Sequence, residues 1–145
     1  MTVIVTDTGF GPDDWALGYI AIDDVSSSTP IALAVDVPSD TDPEALRLLL
    51  GRIDLIRIDF PNFADGRGFT IARRLRLMNY QGRLRAKGHV IADQYAMARR
   101  SGFDEVEIDS DLAARQPESQ WMGRANWQEN DYQALLRAKN LGIAS

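Results

Sequence analysis

From Ile31 to Ile108, short apolar runs alternate with amphipathic segments, and no other feature of this 145-residue chain constrains its fold as much. Residues 31–37 (Ile-Ala-Leu-Ala-Val-Asp-Val) form an apolar run of the kind that suits a strand buried on both faces. Asp42 follows as a helix N-cap with Pro43 at the first helical position; Ala45, Leu46, Leu48, Leu49 and Leu50 continue the helix and Gly51 ends it. Residues 53–59 read as the next strand. Phe69, Ala72, Leu75 and Leu77, spaced among arginines over 69–79, predict an amphipathic helix. A short strand at 83–87, a helix over 90–100 capped by Gly102, and a strand at 105–108 complete the series.

The strand starts at 31, 53, 83 and 105 lie 22, 30 and 22 residues apart. Those intervals fit helical crossovers between parallel strands. With the β-branched run at residues 2–6, the expectation is an α/β domain holding a parallel sheet of about five strands. It would be either an open doubly wound sheet or part of a (β/α) barrel, five strands being too few for a whole barrel. The domain is expected over residues 1–110, with its regular part at 31–108. Asp13 and Asp14 before Trp15, Leu17 and Ile20 suggest a short helix with an acidic first turn. Ser26 to Pro30 form a loop. Residues 111–145 are polar and punctuated by Trp121, Met122, Trp127, Tyr132, Leu135 and Leu136, and read as a C-terminal arm. A helix from Trp127 to Lys139 would carry too thin an apolar face to be a core. The arm is therefore expected to pack on the domain or to clasp a second chain, as a homodimer contact or a contact with a partner enzyme, with the tryptophans as anchors.

Composition narrows the function. The chain has no cysteine, which excludes disulfides, thiolate metal sites and a cysteine nucleophile and agrees with a reducing compartment. The first residues lack the pattern of a signal peptide, and no run reaches the length of a membrane span; a cytoplasmic protein is expected, with no membrane partner. The net charge is −5, with 11 acidic and 3 basic residues in 1–60 against 6 acidic and 9 basic in 61–110. An acidic chain is a poor nucleic-acid binder, whereas the basic middle suits a small anion.

In parallel α/β folds ligands bind outside the carboxyl ends of the strands, here Asp36 to Asp40, Asp59 to Gly68 and Lys87 to Val90. Gly66 and Gly68 allow close backbone approach, the helix start supplies free N–H groups, and Arg67 adds a planar donor fork. Together they would hold sulfate, sulfite or a phosphate group. The alternative is a turn in which Asp65 caps the helix and Arg67 pairs with a carboxylate. Gly88 and Gln94 could border the same mouth, and Asp59, Asp65 and Asp93 are candidate acids or bases. His89, the single histidine, reads more readily as a surface or capping residue than as a catalyst. Asp7, Asp36 and Asp59 end apolar runs and could face Mg²⁺, though their spacing does not require it, and no metal site is expected. No dinucleotide or phosphate-loop fingerprint is present, so no cofactor is expected.

Asp59-Phe60-Pro61 with Phe63, Asp65-Gly66-Arg67-Gly68-Phe69, Ala72-Arg73 with Leu75-Arg76, Gly82 with Leu84-Arg85-Ala86 and Gly88, Asp93-Gln94, and Arg100 with Gly102-Phe103-Asp104 recur in order over residues 36–108. In these segments the chain resembles an uncharacterised bacterial family encoded beside sulfite reductase and often labelled an oxidoreductase probably involved in sulfite reduction. The family carries aspartate where this chain has His89, which argues against His89 as a shared catalyst. The resemblance implies a role in reductive sulfur assimilation and no mechanism. Three functions stand as expectations: an accessory or small-anion-binding protein that serves sulfite or sulfate reduction and meets sulfite reductase or another assimilation enzyme; an enzyme acting on a small phosphorylated or sulfur-containing substrate; and an interaction protein without a ligand site.

Overall fold

The computed structural model describes residues 2–24 and 33–125. Among the described residues seven strands form one sheet: β1 (Thr2–Thr6), β2 (Gly9–Gly11), β3 (Ile20–Ala21), β4 (Leu33–Val37), β5 (Ile53–Phe60), β6 (Arg83–Gly88) and β7 (Glu105–Asp109). Their order across the sheet is β2-β1-β7-β6-β5-β4-β3. Strands β3 to β7 run parallel, whereas β1 pairs antiparallel with both β2 and β7.

This corrects the expected sheet in two ways. The strand at residues 2–6 exists but does not join the parallel set. Asp7 and Thr8 turn it directly into β2, and it lies antiparallel against β7, with Thr2 beside Asp109 and Val5 beside Val106. The strand order also never reverses along the parallel part, so the sheet is not doubly wound; it has the order of a section of a β/α barrel.

A 3₁₀ helix over Pro43–Arg52 and helices α1 (Arg67–Leu77) and α2 (Tyr95–Ser101) make the crossovers. Asp42 accepts a hydrogen bond from the Glu44 N–H at 3.0 Å and so caps the first of these. With three residues per turn, Pro43, Leu46 and Leu49 share one side, which is turned to the core, while Leu48 is left 93% exposed. Helix α1 buries Gly68, Ile71, Ala72 and Leu75, the 3–4 spacing of an amphipathic stripe. Gly102, at φ 112°, ends α2 in the left-handed region. The predicted helix over 90–100 divides into a 3₁₀ turn (Ala92–Gln94) and α2.

The buried sides of all three crossovers share one core with Val35, Val37, Ile56, Ile58, Phe60, Leu84, Ala86, Val106 and Ile108. These are alternate residues of β4 to β7, so these three crossovers cover the same face of the sheet. Phe60, Phe69 and Phe103 stack at its centre, with centroids 4.9 to 6.5 Å apart.

Residues 13–20 do not form the expected helix; the chain there is irregular and ends in the two-residue strand β3. Their acids are drawn out of any helical register by long-range partners: Asp13 bonds Arg85 and Asp14 bonds Arg83. The described start of the arm folds as α3 (Ser110–Arg115) and α4 (Glu118–Met122). Trp121 is 0% exposed, meets the Tyr95 ring edge-on at 6.0 Å, and donates from Nε1 to the Gln116 carbonyl. The loop Ser26 to Pro30, the first two residues of the 31–37 run and the predicted helix from Trp127 to Lys139 lie outside the described residues. Among the described residues no helix is long and apolar enough to cross a membrane.

Candidate functional site

These three crossovers leave the other face of β4 to β7 uncovered by them, and most of its alternate residues are charged. They are Asp36, then Arg57 and Asp59, then Arg83, Arg85 and Lys87, then Glu105, Glu107 and Asp109. Opposite charges on neighbouring strands tie them together through their side chains. Arg57 donates to both oxygens of Asp36 at 2.6 and 2.9 Å and to both of Glu107 at 3.2 Å. Arg85, 0% exposed, donates to Glu105 at 2.7 Å and to Glu107 at 3.0 Å. Arg83 reaches Glu105 at 2.8 Å.

The N-terminal segment roofs this lattice. Asp13 accepts from Arg85 at 3.0 Å, the Tyr19 hydroxyl accepts from Arg85 at 2.8 Å, and the Tyr19 ring lies 3.4 Å from the Arg57 guanidinium carbon. Burial disfavours charge on Arg85, but the carboxylates of Glu105, Asp13 and Glu107 outweigh it and raise its pKa. Burial also opposes ionisation of Asp13, and the Trp15 N–H and Arg85 overcome it, so its pKa falls below the usual carboxylate range. Among the described residues no buried side-chain polar atom lacks a hydrogen bond.

Lys87 breaks the pattern. It ends the row Arg83, Arg85, Lys87 and sits in register beside Asp59, yet it has no ion-pair partner among the described residues, and neither has Asp59. Both line a cavity of 330 Å³ at the carboxyl ends of β4 to β6, with Ile22, Asp23, Asp36 and Arg57. Lys87 also lines a second concavity, of 150 Å³, beside Gly88, His89, Glu107, Asp109 and Arg115.

The residues that the sequence pointed to are distributed over this edge rather than gathered. Asp59 lies in the cavity. Arg67 lies beyond the carboxyl end of β4 but on the helix side, in an open depression with Ser39, Asp40, Thr70 and Arg74. Its guanidinium donates to both Asp65 oxygens at 3.0 and 2.7 Å and to Ser39 at 3.0 Å. Hydrogen bonds from the Arg67 side chain and N–H hold Asp65 far below the usual carboxylate range. This is the turn with Arg67 paired to a carboxylate that stood as the alternative, except that Gly66 rather than Asp65 holds the cap position. Gly68 meets the protein itself: a Cβ there would stand 2.5 Å from the Phe60 ring. A Cβ on Gly66 would meet only the Phe69 ring edge, at 4.0 Å.

Asp93 pairs with Arg124 at 2.7 Å. Gln94 accepts from the Ile91 N–H and donates to the Phe63 carbonyl at 2.7 Å, stapling two edge loops together. Gly88, at φ 112°, makes the turn that lets the His89 N–H reach the Phe60 carbonyl. Asp7 is bonded by Tyr95 and Arg99 and follows the antiparallel β1, at the edge where the parallel strands begin, so it cannot join Asp36 and Asp59. Among the described residues no three His, Cys, Asp or Glu side chains cluster as a metal would require.

Lys87 was missed as a site residue because a strand-end lysine is ordinary in isolation. Its signal is the period of two in Arg83, Arg85, Lys87 and in Glu105, Glu107, Asp109, which sets charge on one face of adjoining strands.

A comparison with curated proteins gives no match to this chain. The model of one family, described as bacterial protein of unknown function (DUF934), matches residues 34–140, which span the regular α/β part, the charged face and the arm. The chain belongs to this bacterial family.

Proposed function

We propose that this protein binds a small oxyanion-bearing molecule at the carboxyl edge of its parallel strands, with Lys87 as the anion contact, and that it does so as an accessory to sulfite or sulfate assimilation. The observation that carries the binding reading is the pairing state of Lys87. Arg57, Arg83 and Arg85 are saturated by carboxylates, whereas Lys87 faces two concavities with its charge uncompensated. Ligand sites in parallel α/β sheets lie at this edge, and a cavity of this size suits a small metabolite. Arg67, already neutralised by Asp65, is the weaker anion contact. The sulfur setting rests on the family resemblance alone.

The second reading, an enzyme acting on a small sulfur- or phosphorus-containing substrate, draws on Asp59. An unpaired carboxylate in register with an unpaired ammonium can supply a base and an acid across one substrate. Melting the protein with sulfite, sulfate or phosphate tests the binding reading, since a ligand of the native state raises the midpoint with its occupancy. The expected result is stabilisation that Lys87→Gln removes and Arg67→Ala keeps. Stabilisation that survives Lys87→Gln would overturn the assignment to Lys87.

A further inference from the structure

The charges left without an ion-pair partner differ on the two sides of Lys87. In the 330 Å³ cavity Asp36 and Arg57 satisfy each other through two hydrogen bonds, which leaves Asp23 and Asp59 as carboxylates without an ion-pair partner among the described residues. In the 150 Å³ concavity Glu107 is already shared by Arg57 and Arg85, and Asp109 accepts the Leu112 N–H at 2.7 Å. Asp109 thus points one oxygen at the start of the following helix, and the donors that this concavity offers to an oxyanion are Arg115, Lys87 and the imidazole of His89.

We propose that the site takes a molecule with an amine at one end and a sulfonate, sulfate or phosphate at the other. The oxyanion sits between Lys87 and Arg115, and the ammonium sits against Asp59 and Asp23. This deepens the reading of Lys87 as the anion contact and rests on it. Neighbouring strands lie about 4.8 Å apart, so a ligand reaching from β5 past β6 towards β7 separates its charged ends by roughly 5–10 Å. That is the span of a short aliphatic chain. Lys87 would repel the ammonium in the empty site, and the oxyanion cancels that repulsion when it docks. The two ends therefore bind better together than either binds alone.

Two sulfonates that differ only in the amine test this on the unaltered protein. Isothermal titration at fixed salt compares aminopropanesulfonate with propanesulfonate, with inorganic sulfate as a third probe. The expected result is about tenfold tighter binding of the amine, the usual size of one charge-assisted contact. Asp59→Asn should abolish that preference, and Arg115→Gln should weaken both sulfonates. Equal affinity of the two sulfonates for the unaltered protein, with both lost in Lys87→Gln, would overturn the amine assignment and leave Lys87 as the anion contact. An amine preference that persists in Asp59→Asn would also overturn it. Failure of all three probes to bind would overturn both the amine assignment and the reading beneath it.

Discussion

Arg85 donates to Glu105 at 2.7 Å across two adjacent parallel strands, and both side chains are buried. A guanidinium at the centre of a sheet face is tolerated because Glu105, Glu107, Asp13 and Tyr19 satisfy it together. The face is built as a polar lattice closed by the N-terminal segment, and the free charges are displaced to its carboxyl edge.

Removing Arg85 should therefore be costly. Arg85→Ala leaves buried Glu105 to Arg83 and buried Glu107 to Arg57, and opens a void at the centre of the face; the expected loss is about 3–5 kcal/mol in urea unfolding. A loss below 1 kcal/mol, within the usual range of surface substitutions, would mean that water enters this face freely.

The acids of the N-terminal segment make the fold sensitive to low pH. Asp13 and Asp14 both have pKa values depressed below the ordinary 3.8, Asp14 chiefly through its hydrogen bond from Arg83. A depressed carboxylate contributes stability above its unfolded value and loses it as pH falls through the folded one. Stability should thus decline below about pH 4 as these acids take up protons. The double change Asp13→Asn with Asp14→Asn should flatten that part of the acid limb, measured as melting temperature against pH.

The two glycines of the Gly-Arg-Gly loop should respond differently. In Gly68→Ala the new methyl meets the Phe60 ring, and the expected cost is about 1–3 kcal/mol. Gly66→Ala should change stability by less than about 0.5 kcal/mol, since nothing stands closer than 4.0 Å. Equal effects of the two in denaturant unfolding would contradict the packing described here.

Trp121 should prove structural. It is fully buried against Tyr95, so Trp121→Ala should cost about 3–5 kcal/mol. Near-ultraviolet circular dichroism should lose the tryptophan band that a fixed ring environment produces. An unchanged unfolding curve would place the start of the arm outside the core.

Much of the regular part was legible locally. The apolar runs and their spacing reveal four of the seven strands with their crossovers, and Asp42, Pro43 and Gly102 mark helix ends, because caps and periodicity act over a few residues. The direction of β1 was less accessible: Thr2 to Thr6 reads the same in either sense, and only its pairing with β7, a hundred residues on, sets it against the parallel strands. The site was legible in position but not in membership. The carboxyl edge follows from the parallel fold, and Asp59 lies there, but the Asp65 carboxylate two residues away captures Arg67.

By itself the sequence determined that the chain folds as an α/β domain with parallel strands, since burial periodicity and crossover length are written into consecutive residues. The tertiary structure decided which charges are free. Whether Lys87 or Arg85 keeps an open valence depends on acids 20 to 72 residues away, brought beside them by strand register and by the path of the N-terminal segment. Long-range pairing of this kind leaves no local trace, and it is what separates a lattice arginine from a lysine available to a ligand.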